Sequence, residues 1–365
     1  MNETRAARYQ RLRRRAGVAE LLSGGFALGA VAATPAAGWL AAWVEAAGRG
    51  WPGLAPAIYV AALVGLWQVA VLPARLFRGL RVDNRYGPGG TAARDVLAAE
   101  AQAALAALVV ALVFAGVVRA AVWIAPGAWW VVAGALLAVA LAAALRGLPM
   151  LLARWGGTRP LARPDLSTHL DDLARRAGVP VTAIEAFRDA PAGPTAFVAG
   201  VGRTRRIFIP DEMARDWSDN EVAVVVAHEL AHHAHHDLWR AAAASALVLT
   251  VALGAADWAI GGLGPAIGVG PPGDLGTWPL LALVAGAAWV ASAPIRHAQS
   301  RAHERRADAF ALALTGGREA FTTAIRRLSA KHLVEEDPSG LTRWLLQRHP
   351  SVAERLALAN RGRTR

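Results

Sequence analysis

Cysteine is absent from the chain. That excludes disulfides, thiol nucleophiles and thiolate metal sites, and leaves His, Asp and Glu as the side chains able to hold a transition metal. Charge is scarce too: 18% of the 365 residues are Asp, Glu, Lys or Arg, against roughly 25% in soluble domains. Hydrophobic residues make up 55% and mean hydropathy is +0.32, which excludes a disordered chain and an ordinary soluble enzyme. Lysine occurs once, at Lys331, among 39 basic residues. The net charge of +12 therefore rests on arginine. The arginines gather at the ends of apolar runs, where membrane topology accounts for them, so no nucleic-acid partner is expected.

What the chain does have is long uncharged runs. Four precede residue 150: Leu21–Val44, Leu54–Ala74, Ala101–Val118 and Ala120–Leu145. Two follow, Ala241–Ala256 and Leu275–Ile295. Each is near the ~20 residues that cross a bilayer as a helix. Trp39, Trp43, Trp51, Trp123, Trp129, Trp130, Trp239, Trp258 and Trp278 lie near their ends, as an aromatic belt would. About six transmembrane helices are expected, with Asp257 at an interface. The first run is too long, and lacks a small-residue cleavage site, for a removable signal peptide.

Arginine counts give the orientation. The N-terminal tail holds Arg5, Arg8, Arg11, Arg13, Arg14 and Arg15, and the second interhelical loop holds Arg75, Arg78, Arg81, Arg85 and Arg94. The first loop has only Arg49, and Asp257–Asp274 has none. The positive-inside bias makes both termini and the long middle segment cytoplasmic, in what is expected to be a bacterial plasma membrane. The chain divides into a basic tail (1–20), a four-helix transmembrane region (21–148), a soluble part (150–240), a transmembrane hairpin (241–295) and a second soluble part (296–365).

Within the first soluble part, Asp165–Ala177 reads as an amphipathic helix stopped by Gly178. Ile184–Phe187, Ala196–Val201 and Arg206–Ile209 read as short strands of a meander or hairpin. Ser218 and Glu221 form a capping-box signature that opens a helix. That helix carries His228-Glu229-Leu230-Ala231-His232. Histidines four apart share one helical face and can hold one zinc ion, and the glutamate beside the first is placed to act on its water. The structural alternative is a histidine-rich helix end, since His233, His235 and His236 follow.

A catalytic zinc site needs a third protein ligand. After the last apolar run comes Ser300-Arg301-Ala302-His303-Glu304-Arg305-Arg306-Ala307-Asp308. Glu304 can ligate, while Asp308, one turn on, can accept a hydrogen bond from a ligating histidine. Intrahelical ion pairs with Arg301, Arg305 and Arg306 are the plain alternative. His303 is a competing ligand, about 100° round the helix from Glu304.

These motifs resemble the integral-membrane zinc metallopeptidases related to the CAAX prenyl protease. Thr195-Ala196-Phe197, running into Arg205–Ile209, resembles that family's Asn-Ala-Tyr/Phe segment and edge strand. His349-Pro350 with Glu354-Arg355 resembles its C-terminal His-Pro and Glu-Arg motif, and Tyr86-Gly87 echoes a loop of the family. Thr195 stands where the family has asparagine, and six spans are counted where the prenyl proteases have seven. The resemblance implies a mainly α membrane protein with a cytoplasmic gluzincin-type protease domain, α with a small β-sheet, split by the transmembrane hairpin. It implies one zinc per chain on His228, His232 and Glu304, with Asp308 behind them and Glu229 as general base. It implies further that Thr195, Ala196 and Phe197 bind substrate along a strand edge, and that His349 and Arg355 fold back to stabilise an oxyanion. The partners implied are a peptide or membrane-protein substrate and the lipid bilayer; oligomeric state stays open.

Three other readings stand beside a prenyl protease. A heat-shock-type quality-control protease fits the same motifs. A sensor-type membrane zinc protease fits the run to Asp237 but lacks the Ala307-Asp308 and His349-Pro350 pairs. A transporter or scaffold with an incidental zinc site would need a polar path, and four of the six runs have no charge at mid-span. The orientation is testable: tags at both termini should be protected from external protease and a tag within Gly261–Gly270 cleaved. Digestion of either terminal tag from outside would overturn the arginine argument.

Overall fold

The computed structural model describes residues 4–360 apart from 50, 52, 88, 89, 91, 156, 189–194 and 337. The outermost parts of the expected tail (1–3) and second soluble part (361–365) lie outside the described residues. In chain order the helices are α1 (Arg5–Ala32), α2 (Ala36–Ala47), α3 (Leu54–Leu76), the single turn α4 (Asn84–Tyr86), α5 (Ala93–Ile124) and α6 (Trp129–Trp155). Next come β1 (Arg159–Pro160), α7 (Pro164–Arg176), β2 (Ala183–Phe187), β3 (Phe197–Ala199), β4 (Arg206–Pro210), α8 (Asp211–Asp216) and α9 (Asp219–Ala234). Then α10 (Asp237–Ile267), α11 (Trp278–Ala291), α12 (Ala293–Thr315), α13 (Arg318–Lys331), α14 (Gly340–Leu346) and α15 (Val352–Asn360). Two compact units result: residues 1–7, 140–243 and 293–365 form one, and 8–139 with 244–292 the other.

The second of these units is apolar and helical. Four helical stretches, Leu54–Tyr86, Ala93–Ile124, Pro126–Gly147 and Asp237–Ala266, are long and apolar enough to cross a membrane. Two bent pairs, α1 with α2 (74°) and Leu275–Ala291 with α12 (45°), raise the number to six if each is one span. The first run is therefore not one straight helix. Pro35 lacks an N–H and disfavours helix at Thr34, and the chain turns there. Residues 5–20 of the expected tail are helical, being the first part of α1. Arg119 does not divide the third and fourth runs either: α5 passes through it and stops before Pro126.

Helix α10 runs ten residues beyond Asp257, the residue expected at an interface. The carboxylate is accommodated by a partner. Trp129, 1% exposed, donates its indole N–H to Asp257 Oδ1 at 2.6 Å. Close contact between α6 and α10 is possible because position 134 is glycine; a Cβ there would lie 2.0 Å from Thr250 Oγ1.

The other unit carries the sheet, in the order β1-β2-β4-β3. β1 and β3 are antiparallel to their neighbours, but β2 and β4 are parallel, so of the expected meander or hairpin the structure has the β3–β4 hairpin and not a meander. Ile207, Phe208 and Ile209 of β4 are fully buried. A strand that apolar belongs inside a sheet, and its central place leaves β3 at the edge. Leu166, Leu170 and Leu173 of α7, on one helical stripe, pack with Ile207, Ile209 and the Val222, Val226 and Leu230 face of α9. Burying each leucine is worth roughly 1.5–3 kcal/mol. α7 ends at Gly178, whose φ of +69 suits glycine, and the Val179 N–H returns to Ala174 O. α9 opens with the expected box: Glu221 Oε2 accepts from Ser218 N–H at 2.9 Å, and Ser218 Oγ accepts from Glu221 N–H at 3.4 Å.

The Trp129–Asp257 bond yields a stability test. Trp129→Phe should destabilise the detergent-solubilised chain by about 1–3 kcal/mol, since it leaves a carboxylate without its donor. Asp257→Ala added to that change should restore part of the loss in thermal unfolding; additive losses would mean the two side chains do not interact.

Candidate metal centre

α9 and α12 pack side by side, and the site lies on their facing surfaces. His228 and His232, one turn apart on α9, present ring nitrogens to Glu304 of α12. One ligand atom from each of the three lies within 4.8 Å of the other two. His228 Nε2 is 3.3 Å from Glu304 Oε2, and His232 Nε2 is 3.6 Å from Glu304 Oε1. Each imidazole is held from behind. His228 Nδ1 is 2.9 Å from Asp308 Oδ1, and His232 Nδ1 is 3.1 Å from Asp237 Oδ2. A carboxylate can only accept, so each Nδ1 carries the proton and each Nε2 faces the shared space.

The donor set fits a divalent transition metal: two imidazole nitrogens and a carboxylate, with no competing sulfur. A more specific observation points the same way. Glu304 Oε2 is buried and has no hydrogen-bond partner. His228 Nε2 and, at 2.9 Å, His349 Nδ1 come close without hydrogen-bond geometry. A buried carboxylate oxygen is costly unless something cationic satisfies it. Burial would depress the His228 pKa, yet the hydrogen bond to Asp308 and the nearby Glu304 carboxylate outweigh it and raise it to about 9. The surroundings favour positive charge between those carboxylates. Glu304 and Asp308 are pushed up by burial, but His228 together with His349 or Arg355 brings both below the usual carboxylate range.

Glu229, adjacent to His228, is the one residue of the stretch 221–231 that is not buried. Desolvation still raises its pKa, against the pull of His228 and His232. It opens onto a cavity of about 540 Å³, together with Thr195, Glu304 and His349, and with an apolar wall that includes Val225, Ile325 and Leu328.

The remaining histidines separate by environment. His233, its pKa lowered to about 4 mainly by burial, donates from Nε2 to Val198 O at 3.1 Å and ties α9 to the edge strand. His235 packs edge-on to Phe310, and His303 lies 3.7 Å from Asp237 and outside the ligand trio. Of the strand residues, Thr195 lines the cavity. Ala196 is wholly buried in the core, and Phe197 stacks on Phe208 with centroids 5.0 Å apart. Tyr86 and Gly87 belong to the other compact unit.

The C-terminal tail folds back, and Arg301 is one reason. Rather than pairing along its own helix, it donates to the carbonyls of Arg343 and Gln347 at 3.0 and 2.7 Å, holding the end of α14. His297 reaches Leu345 O at 2.7 Å. His349 follows and meets Glu304. Arg355 takes a different position from the expected one: its guanidinium grips Asp308 at 2.8 and 2.6 Å. It thus acts on the carboxylate behind His228. Asp237 was not singled out in the sequence. It lies five residues after His232, a spacing that a continuous helix would turn to another face, so periodicity gives no signal.

The sequence pattern of Peptidase family M48 matches residues 160–361. The chain belongs to Peptidase family M48. The uncharacterized metalloprotease YhfN of Bacillus subtilis (strain 168) is 26% identical over 217 residues, which are 55% of this chain and 49% of that protein. The chain thus spans about half the length of that curated relative. Among solved structures, S. mikatae Ste24p superposes with a TM-score of 0.72 at 18% identity, over 88% of this chain and 79% of that one, a likeness of fold.

The two tail residues should separate in a thermal melt. Arg355→Ala strands the buried Asp308 carboxylate and should cost about 3–5 kcal/mol. His349→Ala, with a side chain 66% exposed, should leave the melting temperature close to wild type. Equal melting of both variants would contradict the Arg355–Asp308 grip.

Proposed function

We propose that this family member is a membrane-embedded zinc-dependent endopeptidase, with its site on the cytoplasmic side and its catalytic domain interrupted by the α10–α11 hairpin. The observation that carries the reading is the trio His228, His232 and Glu304 on one cavity with Glu229. The three would hold the metal. A bound zinc ion supplies Lewis-acid polarisation of the scissile carbonyl and lowers the pKa of a water toward ~7.

The chain's own residues supply the rest. Glu229 accepts the proton of the attacking water as the C–O bond forms, then delivers it to the amide nitrogen as the C–N bond breaks. Its raised pKa suits that exchange, because a group poised closer to neutrality both takes and gives a proton readily. A peptide adds along the edge strand β3 and so presents backbone carbonyls to the cavity. His349, beside Glu304 at the cavity mouth, is positioned to donate to the carbonyl oxygen as it gains charge. Such a donor is worth about 3–4 kcal/mol. The substrate is a peptide or a membrane protein; a prenyl-protease-like and a quality-control role share this chemistry.

Glu229→Gln should abolish casein or peptide cleavage in detergent while metal content by mass spectrometry stays at one zinc per chain. His228→Ala, His232→Ala and Glu304→Ala should instead lose the metal. Cleavage by Glu229→Gln above a few per cent of wild type would sink the assignment. Full zinc in Glu304→Ala would move the third ligand to His303. His349→Ala should cut kcat by about a hundredfold with zinc retained.

A further inference from the structure

Asp237 is 3% exposed and carries more contacts than a helix-opening acid needs. One oxygen, Oδ2, meets His232 Nδ1 at 3.1 Å. The other, Oδ1, accepts from Arg306 at 2.8 Å, with Arg240 and His303 each at 3.7 Å. The arrangement duplicates the one behind the first histidine, where Asp308 lies between His228 and Arg355. Each imidazole of the trio thus has a buried carboxylate on Nδ1, and each carboxylate has an arginine on its far side.

The backbone takes an unfavourable path to make the second copy. Continued as one helix, α9 would set residue 237 about 140° round from His232. The helix instead stops at Ala234, and His236 adopts φ +56 before α10 begins at Asp237. A left-handed residue other than glycine costs roughly 1–2 kcal/mol and persists where the surroundings over-determine it. That turn brings the Asp237 carboxylate back against the His232 ring.

We propose that Asp237 is a positioning residue for the metal centre, fixing the tautomer and ring orientation of His232, and that Arg306 holds Asp237 in that role. The inference rests on His232 being a ligand, as proposed above. With the carboxylate on Nδ1, the Nε2 lone pair is directed toward Glu304; without it, the Nε2–H tautomer becomes populated and the ring is free to turn. Negative charge behind the ring also raises its basicity as a ligand. Arg306 lies on α12 two residues beyond Glu304, and Asp237 is the first residue of α10. The bond between them therefore joins the segment leaving α9 to the helix that bears the third ligand. A purely structural ion pair would do none of this to the metal.

The test measures zinc affinity by chelator competition on the full chain in detergent, alongside melting of chelator-treated protein. Asp237→Asn should weaken zinc binding by about 10–100-fold, comparable with Asp308→Asn. Asp237→Glu should recover part of the loss, and Arg306→Gln should show a smaller loss in the same direction. The melting temperature of chelator-treated Arg306→Gln should stay near wild type, which separates a metal effect from a fold effect. Zinc affinity of Asp237→Asn within twofold of wild type would overturn the proposal. If that variant does not fold, Arg306→Gln decides, and unchanged affinity there is equally fatal. His232→Ala is the control: should it keep its zinc, the ligand set is at fault, whereas loss there with no change in Asp237→Asn refutes only the role of Asp237.

Discussion

The contact between α9 and α12 is the constraint on which the rest depends. One helix contributes two imidazoles, the other a carboxylate, and neither can form the trio alone. α9 is held in place before it meets α12: the Ser218–Glu221 box fixes its start, and Val222, Val226 and Leu230 set its rotation against α7 and β4. That rotation turns His228 and His232 toward Glu304 and leaves His233 to bond the edge strand. His232 and His233 are about 100° apart on the helix, so the roll of α9 decides which histidine faces the metal and which the core. Apolar packing on the far side of α9 thus specifies the chemistry on the near side.

Buried charge is the cost of this geometry, and it is met by pairing in depth. Asp308 and Asp237 are 1% and 3% exposed, and each is flanked by a histidine and an arginine. Within this cluster the atom left over is Glu304 Oε2. Three carboxylates around two imidazoles repel one another, and Arg355 and Arg306 offset part of that repulsion from outside. The same pairing rule extends into the apolar unit, where Trp129 satisfies Asp257.

Much of this was legible in the sequence, for reasons that differ by element. The apolar runs, the α7 stripe with its Gly178 stop and the Ser218 cap are local patterns, and local patterns survive folding. His228, His232, Glu304 and Asp308 could be read because i, i+4 spacing on a helix is geometry. Features set by distant partners were not legible. The parallel β2–β4 pairing depends on which strand is most deeply buried. Asp257 is accommodated inside a helix because a tryptophan over a hundred residues away donates a hydrogen bond to its carboxylate. Arg301 and Arg355 looked like members of solvated intrahelical pairs or oxyanion donors, and their real partners are on other helices. Asp237 was hidden by a left-handed histidine that no periodicity anticipates.

The interruption of the site by α10 and α11 has a physical consequence of its own. His232 and Glu304 are far apart in the chain, and a flexible connection of that length would be ordered only at an entropic cost. Here the connection is largely helical, and its first residue is pinned at the site itself. Asp237 opens α10 against His232, and Arg306 of α12 closes on the same carboxylate. The start of the insertion is therefore tied to α12 through a residue that touches a candidate ligand. An insertion fastened in this way does not loosen the site it interrupts. It makes the register between α9 and α12 depend on the polar contact between the first residue of α10 and Arg306.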